Sequence, residues 1–333
     1  MCDAHTAFPS SERLRRKLFS TGLCRLRVSA ASDSWSARHL WHIFQAEKRR
    51  QPESAVSKLH MIQINASDFA KYSGHNPYAS AEEQEECFWR SNTRLAYRVG
   101  RAPSERLSCV EKAVRKCSGG EIDSMRSNLS LPTNASAADI SRAIQTQVVA
   151  PAVAQNTTTQ LSTALTASSN TVLAGFPAEA AASVVESIQR DTQIQRGRVR
   201  ERSSLDLLEG EAGRRIVNRN DCCLRKTLFH LDGAPVTLLG KVDGRMETTG
   251  EVVEAKERRN RLFGRVVDYE KVQMHCYMHL TQTLRSVLRE RHDEETRDHI
   301  VAFDEEFWVD AVERVKQFVS EQVAPYKDRA PAV

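Results

Sequence analysis

Val236-Thr237-Leu238-Leu239-Gly240-Lys241-Val242-Asp243-Gly244-Arg245-Met246 reads as an apolar strand, Thr248-Thr249-Gly250 as a turn, and Glu251-Val252-Val253-Glu254-Ala255-Lys256 as the strand returning beside it. Helical periods flank this hairpin. On its amino side Val184, Val185, Ile188, Leu205 and Leu208 recur at helical spacing. On its carboxyl side a helical period is expected from Tyr269 to about Arg291. A last amphipathic helix is expected over residues 304–323, with Phe307, Trp308, Val312, Val315 and Val319 turned inward. A strand hairpin set between helices predicts an α/β (α+β) fold.

The hairpin also carries the sharpest chemistry. Side chains alternate along a strand, so Glu254 and Lys256 share one face while Val253 and Ala255 enter the core, and the adjoining strand brings Asp243 beside them. Two carboxylates held together by rigid strands repel each other, and hard oxygen ligands select Mg²⁺ or Mn²⁺. Such an ion polarises a phosphoryl oxygen and activates a bound water, which an adjacent lysine can orient or deprotonate. These are the parts of a phosphodiester hydrolase. The competing reading of a Glu-x-Lys is a solvated strand face, yet Glu254 is the only acidic residue in the sequence with Lys two positions on. Two companions support the functional reading: Gln273 and Tyr277, at i and i+4 on one helical face, and Gly197 to Glu201, which puts an acid near the end of a helix able to pack over the hairpin. Arg258, Arg259 and Arg261 follow directly, either as contacts to a DNA backbone or as a solvated loop.

Further upstream, Ile62-Gln63-Ile64-Asn65-Ala66-Ser67-Asp68-Phe69 is short and apolar, and its Ser/Asp pair suits the cap of a helix running through Tyr72 to Gly74. His75-Asn76-Pro77-Tyr78 reads as a turn, and Ser80 with Glu83 as a capping box ahead of Phe88 and Trp89. Residues 105–117 form a plausible amphipathic helix stopped by Gly119-Gly120. Residues 143–178 contain no charged residue, and their Ala/Thr/Ser/Gln composition predicts a flexible or weakly helical low-complexity insertion at about 121–178.

Taken in order, these segments resemble the PD-(D/E)xK nuclease superfamily, in the branch of lambda exonuclease and the YqaJ-type viral recombination nucleases. That branch combines G-x-x-x-E (Gly197 to Glu201), G-x-x-D (Gly240 to Asp243), E-x-K (Glu254 to Lys256) and Q-x-x-x-Y (Gln273 to Tyr277). It opens with a segment similar to Ile64-Asn65-Ala66-Ser67-Asp68 followed by Gly74, Asn76, Pro77 and Tyr78. The resemblance implies a restriction-endonuclease-like central mixed sheet flanked by helices, spanning residues 59–330 after a basic extension over 1–58. It implies that Asp243, Glu254 and the Ala255 carbonyl bind Mg²⁺ or Mn²⁺, that Glu201 joins them directly or through water, and that Lys256 serves the water. Gln273 and Tyr277 would line the site near the scissile strand, and Ser67 would help hold a DNA-end phosphate. The implied activity is exonucleolytic processing of linear duplex DNA ends in recombination or replication, with a recombination or single-strand-binding protein as a candidate partner and an oligomer compatible with it. The alternatives are a structure-selective or restriction-like endonuclease, and a non-catalytic DNA-binding protein on a nuclease fold. Cysteines that would hold an iron–sulfur cluster after Q-x-x-x-Y are missing.

Composition agrees with an intracellular chain. Of 333 residues, 40% are hydrophobic and 27% charged, which excludes wholesale disorder. No stretch is apolar enough to span a membrane, and the N-terminus lacks an unbroken apolar signal core. The net charge of +5 divides unevenly: residues 1–50 hold ten Lys/Arg against four Asp/Glu, and the remaining 38 basic and 39 acidic residues nearly cancel. The Arg/Ser-rich start reads as a basic arm, an untargeted extension or a mitochondrial address, beside a nuclear or cytoplasmic location, and residues 38–44 as a short docked helix. Eight cysteines without C-x-x-C spacing argue against zinc fingers and disulfide scaffolds. His275 and His279 have the spacing of a zinc pair without its accompanying glutamate.

Overall fold

Strand β4 (Ala234–Gly240) organises the first of two mixed sheets in this computed structural model, which describes residues 61–101, 105 and 107–326. The N-terminal extension and the helix expected at residues 38–44 lie outside the described residues. On one side β4 runs parallel to β1 (Ile62–Asn65), and on the other antiparallel to β3 (Leu224–Leu231), a strand the sequence did not announce. The second sheet has the order β2 (Ile216–Val217), β5 (Gly244–Met246), β6 (Val252–Glu257), β7 (Arg285–His292) and β8 (Glu295–Ala302). Within it β6 and β7 are parallel and the other pairs antiparallel. Helices flank both sheets, so the fold is mixed α/β.

The single strand expected over Val236–Met246 is therefore two strands in two sheets. β4 ends at Gly240, where the neighbouring helices approach closely: a Cβ there would lie 2.5 Å from Leu280 Cδ1, 3.1 Å from Tyr277 Cε1 and 3.3 Å from Ala66 Cβ. The chain then crosses to the second sheet, where Gly244 makes room for Ile216, whose Cγ2 would sit 2.5 Å from a Cβ. Only the short pairing of Gly244 and Arg245 with Val253 and Val252 forms the expected hairpin.

The helix expected from Tyr269 to Arg291 also divides. Helix α10, defined below by Asp268–Thr281, ends at Gln282 in the left-handed region, and the rest is β7, returning through Asp293 to β8. Strand β7 is buried along most of its length, including Arg289 and Glu290. Covered on both faces, it shows no alternation to read. Arg289 is neutralised by Asp298 and Glu211.

Between β1 and β2 come first α1 (Ala66–Tyr72), α2 (Ala81–Ser91), whose cap is the Ser80 hydroxyl accepting the Glu83 N–H, and α3 (Thr93–Arg98). The 105–117 helix contracts to α4 (Cys109–Val114), and Gly119-Gly120 opens α5 (Gly119–Asn128) instead of stopping α4, because Ser118 and Glu121 close a capping box around that start. The predicted low-complexity insertion is likewise ordered. It continues through α6 (Ala137–Ile144), a π-turn over Gln145–Val149, α7 (Ala150–Val153) and α8 (Thr158–Val172). Of the two expected forms, flexible or weakly helical, the helical one is found, for a physical reason. Ile140, Ile144, Val148, Leu161 and Leu165 are buried together with Val110, Val114 and Met125, while Thr163, Thr166 and Thr171 return their hydroxyls to carbonyls four residues back.

Helix α9 (Ala178–Ala212), 35 residues long, joins these parts. Val184 and Ile188 pack into the helical cluster, and Leu205 and Leu208 pack against Ile216, Met246, Val253 and Val287 of the second sheet. Glu201 thus stands mid-helix, not near an end. Helix α10 (Asp268–Thr281) serves both sheets: Val272 and Cys276 join the core of β1 and β4, while Met274 and Met278 meet Leu288 and Val301. Helix α11 (Glu305–Val323), capped by Asp304, buries Trp308, Val315 and Val319 and half-buries Phe307 and Val312, as its period predicted.

Candidate active site

The crossing between sheets places Asp243 opposite Glu254. With Gly244 paired to Val253, Asp243 is one step beyond the hairpin ladder, and its Oδ2 accepts the Ala255 N–H at 2.9 Å. Glu254, 3% exposed, receives Lys256 Nζ at 2.5 Å and Gln273 Nε2 at 2.8 Å, both on Oε1. Gln273 closes the ring. Its Oε1 accepts from Lys256 Nζ at 3.2 Å, and its Nε2 also donates to the Tyr277 hydroxyl at 2.8 Å. Tyr277 is seated by the glycine notch of β4 already described, so the Gly240 of G-x-x-D places a side chain from a different motif. On α9, Glu201 Oε1 accepts from Asn220 Nδ2.

Burial, then the Glu254 charge, push the Asp243 carboxyl well above its ordinary range, and the same two causes raise Glu201. Crowding alone would lower the Lys256 ammonium, but Glu254 and Asp243 outweigh it and hold it above its ordinary value. Burial and Glu254 also raise the Tyr277 phenol. The arrangement holds more negative charge than Lys256 offsets. Glu254 Oε2 is buried with no hydrogen-bond partner among the described residues. A buried carboxylate oxygen left without a donor calls for one, and a cation answers it best. Among the described residues no three His, Cys, Asp or Glu side chains are already gathered tightly enough to close on an ion. Hard-oxygen chemistry, the orphaned Oε2 and the mutual repulsion of the carboxylates nonetheless suit Mg²⁺ or Mn²⁺.

The expected contacts separate into those brought together and those not. Asp243, Glu254, Lys256, Gln273 and Tyr277 form one cluster, to which Glu201 is coupled electrostatically. Ser67 is exposed on the first turn of α1, without a bond to any of them. Arg258 is a correction. It is buried, its Nε donating to Glu290 Oε1 at 2.6 Å and its two terminal nitrogens to Glu270 at 2.5 and 2.8 Å, with the guanidinium 4.0 Å from the Phe263 ring centroid. A guanidinium spent on two buried carboxylates is closed to a DNA phosphate. Both ring nitrogens of His275 are engaged within the fold: its Nδ1–H donates to the Lys271 carbonyl at 2.7 Å and its Nε2 accepts the Asp304 N–H at 2.9 Å. Two residues went unforeseen, Asn220 beside Glu201 and Glu270 beside Arg258. Asn218 and Asn220, both in the left-handed region, left a turn signature but nothing to say that one of them would hold Glu201.

No protein-family model matches this chain, and no curated protein matches it in sequence. Solved structures similar to it include SSO0001, at 14% identity and a TM-score of 0.32 over 42% of this chain and 65% of that one, so the chain spans just under two thirds of SSO0001. They also include an alkaline exonuclease, LHK-Exo, from Laribacter hongkongensis, at 14% identity and a TM-score of 0.34 over 65% of this chain and 94% of that one. LHK-Exo in complex with dAMP is similar at 13% identity and a TM-score of 0.34, over 65% and 92%.

Proposed function

We propose that this chain is a metal-dependent deoxyribonuclease that hydrolyses phosphodiester bonds, acting as an exonuclease on linear duplex ends. The observation that carries the reading is the shared hydrogen-bond ring of Glu254, Lys256 and Gln273, with Asp243 held against the next peptide N–H. Four motif residues distant in sequence converge there from a loop, a strand and a helix. A structural ion pair on a solvated strand would need neither the buried Glu254 nor a helix amide to orient it.

In this reading Asp243, Glu254 and the Ala255 carbonyl would hold Mg²⁺ or Mn²⁺, with Glu201 joining directly or through water. When bound, the ion supplies Lewis-acid polarisation of the phosphoryl oxygen and a more acidic water. The chain's own groups do the rest. Lys256, kept protonated by its carboxylate neighbours, donates from Nζ to orient the nucleophile or steady the charge that builds on the phosphoryl oxygens. Gln273 fixes the rotamers of Lys256 and Glu254 at once, and Tyr277 anchors the Gln273 amide so that its oxygen faces the lysine. The test is cleavage of linear DNA with and without Mg²⁺. Glu254→Gln and Lys256→Ala should each abolish it while leaving the thermal transition in place, and full activity in both would end the proposal. Nicking of covalently closed circles would favour the endonuclease reading.

A further inference from the structure

The face of α10 that carries Gln273 and Tyr277 extends one turn outward to Tyr269, because 269, 273 and 277 are spaced four apart. A turn of helix advances about 5.4 Å, which sets Tyr269 one turn N-terminal of Gln273. Tyr78, 82% exposed, meets it edge-on, with ring centroids 6.4 Å apart and planes at 74°. The backbone of Tyr78 is fixed in its turn by donation of its N–H to Asn76 Oδ1 at 3.0 Å. Burial and Glu270 raise the Tyr269 phenol while the Arg258 and Lys256 cations pull against them.

The adjoining loop between β6 and α10 contributes exposed Arg259, Arg261 and Arg265, with Phe263 44% exposed among them. An exposed tyrosine edge-on to a half-buried one, with a loop of exposed cations directly before it in sequence, matches what single-stranded nucleic acid needs. Every base has a face to stack, and the arginines meet its phosphates whatever the sequence. A fully paired duplex end keeps its bases stacked on one another and offers such a ring little.

We infer that Tyr78 and Tyr269 form a shelf on which an unpaired nucleobase of the substrate strand stacks beside the Glu254–Lys256 cluster. The inference rests on the nuclease reading and adds to it a preference for strands that are single-stranded or frayed next to the scissile bond. The test uses a single-stranded oligonucleotide carrying one 2-aminopurine, bound to the full chain in EDTA. Wild-type protein should change the probe's fluorescence on binding. Tyr78→Ala with Tyr269→Ala should remove that change and weaken binding roughly tenfold or more, and the corresponding pair of Phe substitutions should restore both. Equal affinity and equal fluorescence change in wild type and the double Ala variant would overturn the shelf. Cleavage of linear duplex with Mg²⁺ by the same preparations separates the two claims. An active wild type with a tyrosine-independent probe signal refutes the shelf alone, whereas an inactive wild type refutes the nuclease reading on which it rests.

Discussion

Gln273 Nε2 and Glu254 Oε1 are 2.8 Å apart, and this bond ties helix α10 to strand β6 at the point where Lys256 also arrives. One amide orients two side chains, so the chemistry depends on where a helix lies against a sheet. Gln273→Ala should lower the cleavage rate by roughly 10²-fold, the scale of a misplaced reacting group, with a thermal transition close to wild type. Single-turnover rates beside thermal melts would check this. A rate within twofold of wild type would remove Gln273 from the positioning role.

Gly240 is needed for space, not for an unusual backbone angle. Gly240→Ala would drive a Cβ against Leu280 and Tyr277, and overpacking of this kind costs about 1–3 kcal/mol. Denaturant melts should show that loss, and cleavage should fall because Tyr277 moves. Since the nearest atom belongs to Leu280, adding Leu280→Ala should cost less than the sum of the two single changes.

Arg258 separates the surface reading from the buried one. Removing it leaves Glu270 and Glu290 facing each other without their cation, and breaking such a pair costs about 3–5 kcal/mol. Arg258→Ala should therefore lower stability to urea markedly. Loss of a DNA-contact residue would instead weaken binding and leave the urea midpoint in place, so normal stability with reduced DNA affinity would contradict the structure.

His275 makes stability depend on pH. Burial lowers its affinity for a proton, and its Nε2 must stay unprotonated to accept the Asp304 N–H. The unfolded chain, with histidine near its ordinary value of about 6.5, binds that proton more readily. The contribution is then fully present above about pH 6.5 and is lost as pH falls below it, toward the depressed folded value. Melting temperature should decline as pH drops from about 7.5 to 5.5. His275→Gln, lower in stability throughout, should show a smaller decline over the same interval, and an identical slope would refute the assignment.

The pattern of legible and illegible elements follows from periodicity. α11 was readable because Trp308, Val315 and Val319 lie on one stripe with polar residues opposite, and Gly74 ended α1 as its left-handed φ requires. The site was readable because Glu254 and Lys256 share a strand face and Gln273 and Tyr277 a helix face, relations set by spacing alone. β7 was not, since both of its faces are covered and its buried Arg289 and Glu290 look like surface residues until Asp298, Glu211, Arg258 and His299 are seen. Arg258 failed for the same reason: a cation's partner can lie 12 and 32 positions away, as Glu270 and Glu290 do, and no local rule finds it. The uncharged segment over residues 143–178 left a flexible and a helical form open, because its sparse apolar side chains suffice only once neighbouring helices cover them.

Hydrolysis of DNA by the Asp243–Glu254–Lys256 cluster is the central claim. Its most direct measurement is cleavage of end-labelled linear duplex by the purified full chain, with Mg²⁺ or EDTA, comparing wild type with Glu254→Gln. The account predicts progressive loss of label from linear DNA that requires Mg²⁺ and disappears in the folded Glu254→Gln variant. Cleavage that persists undiminished in Glu254→Gln, or a wild type that leaves DNA intact with Mg²⁺, would contradict it.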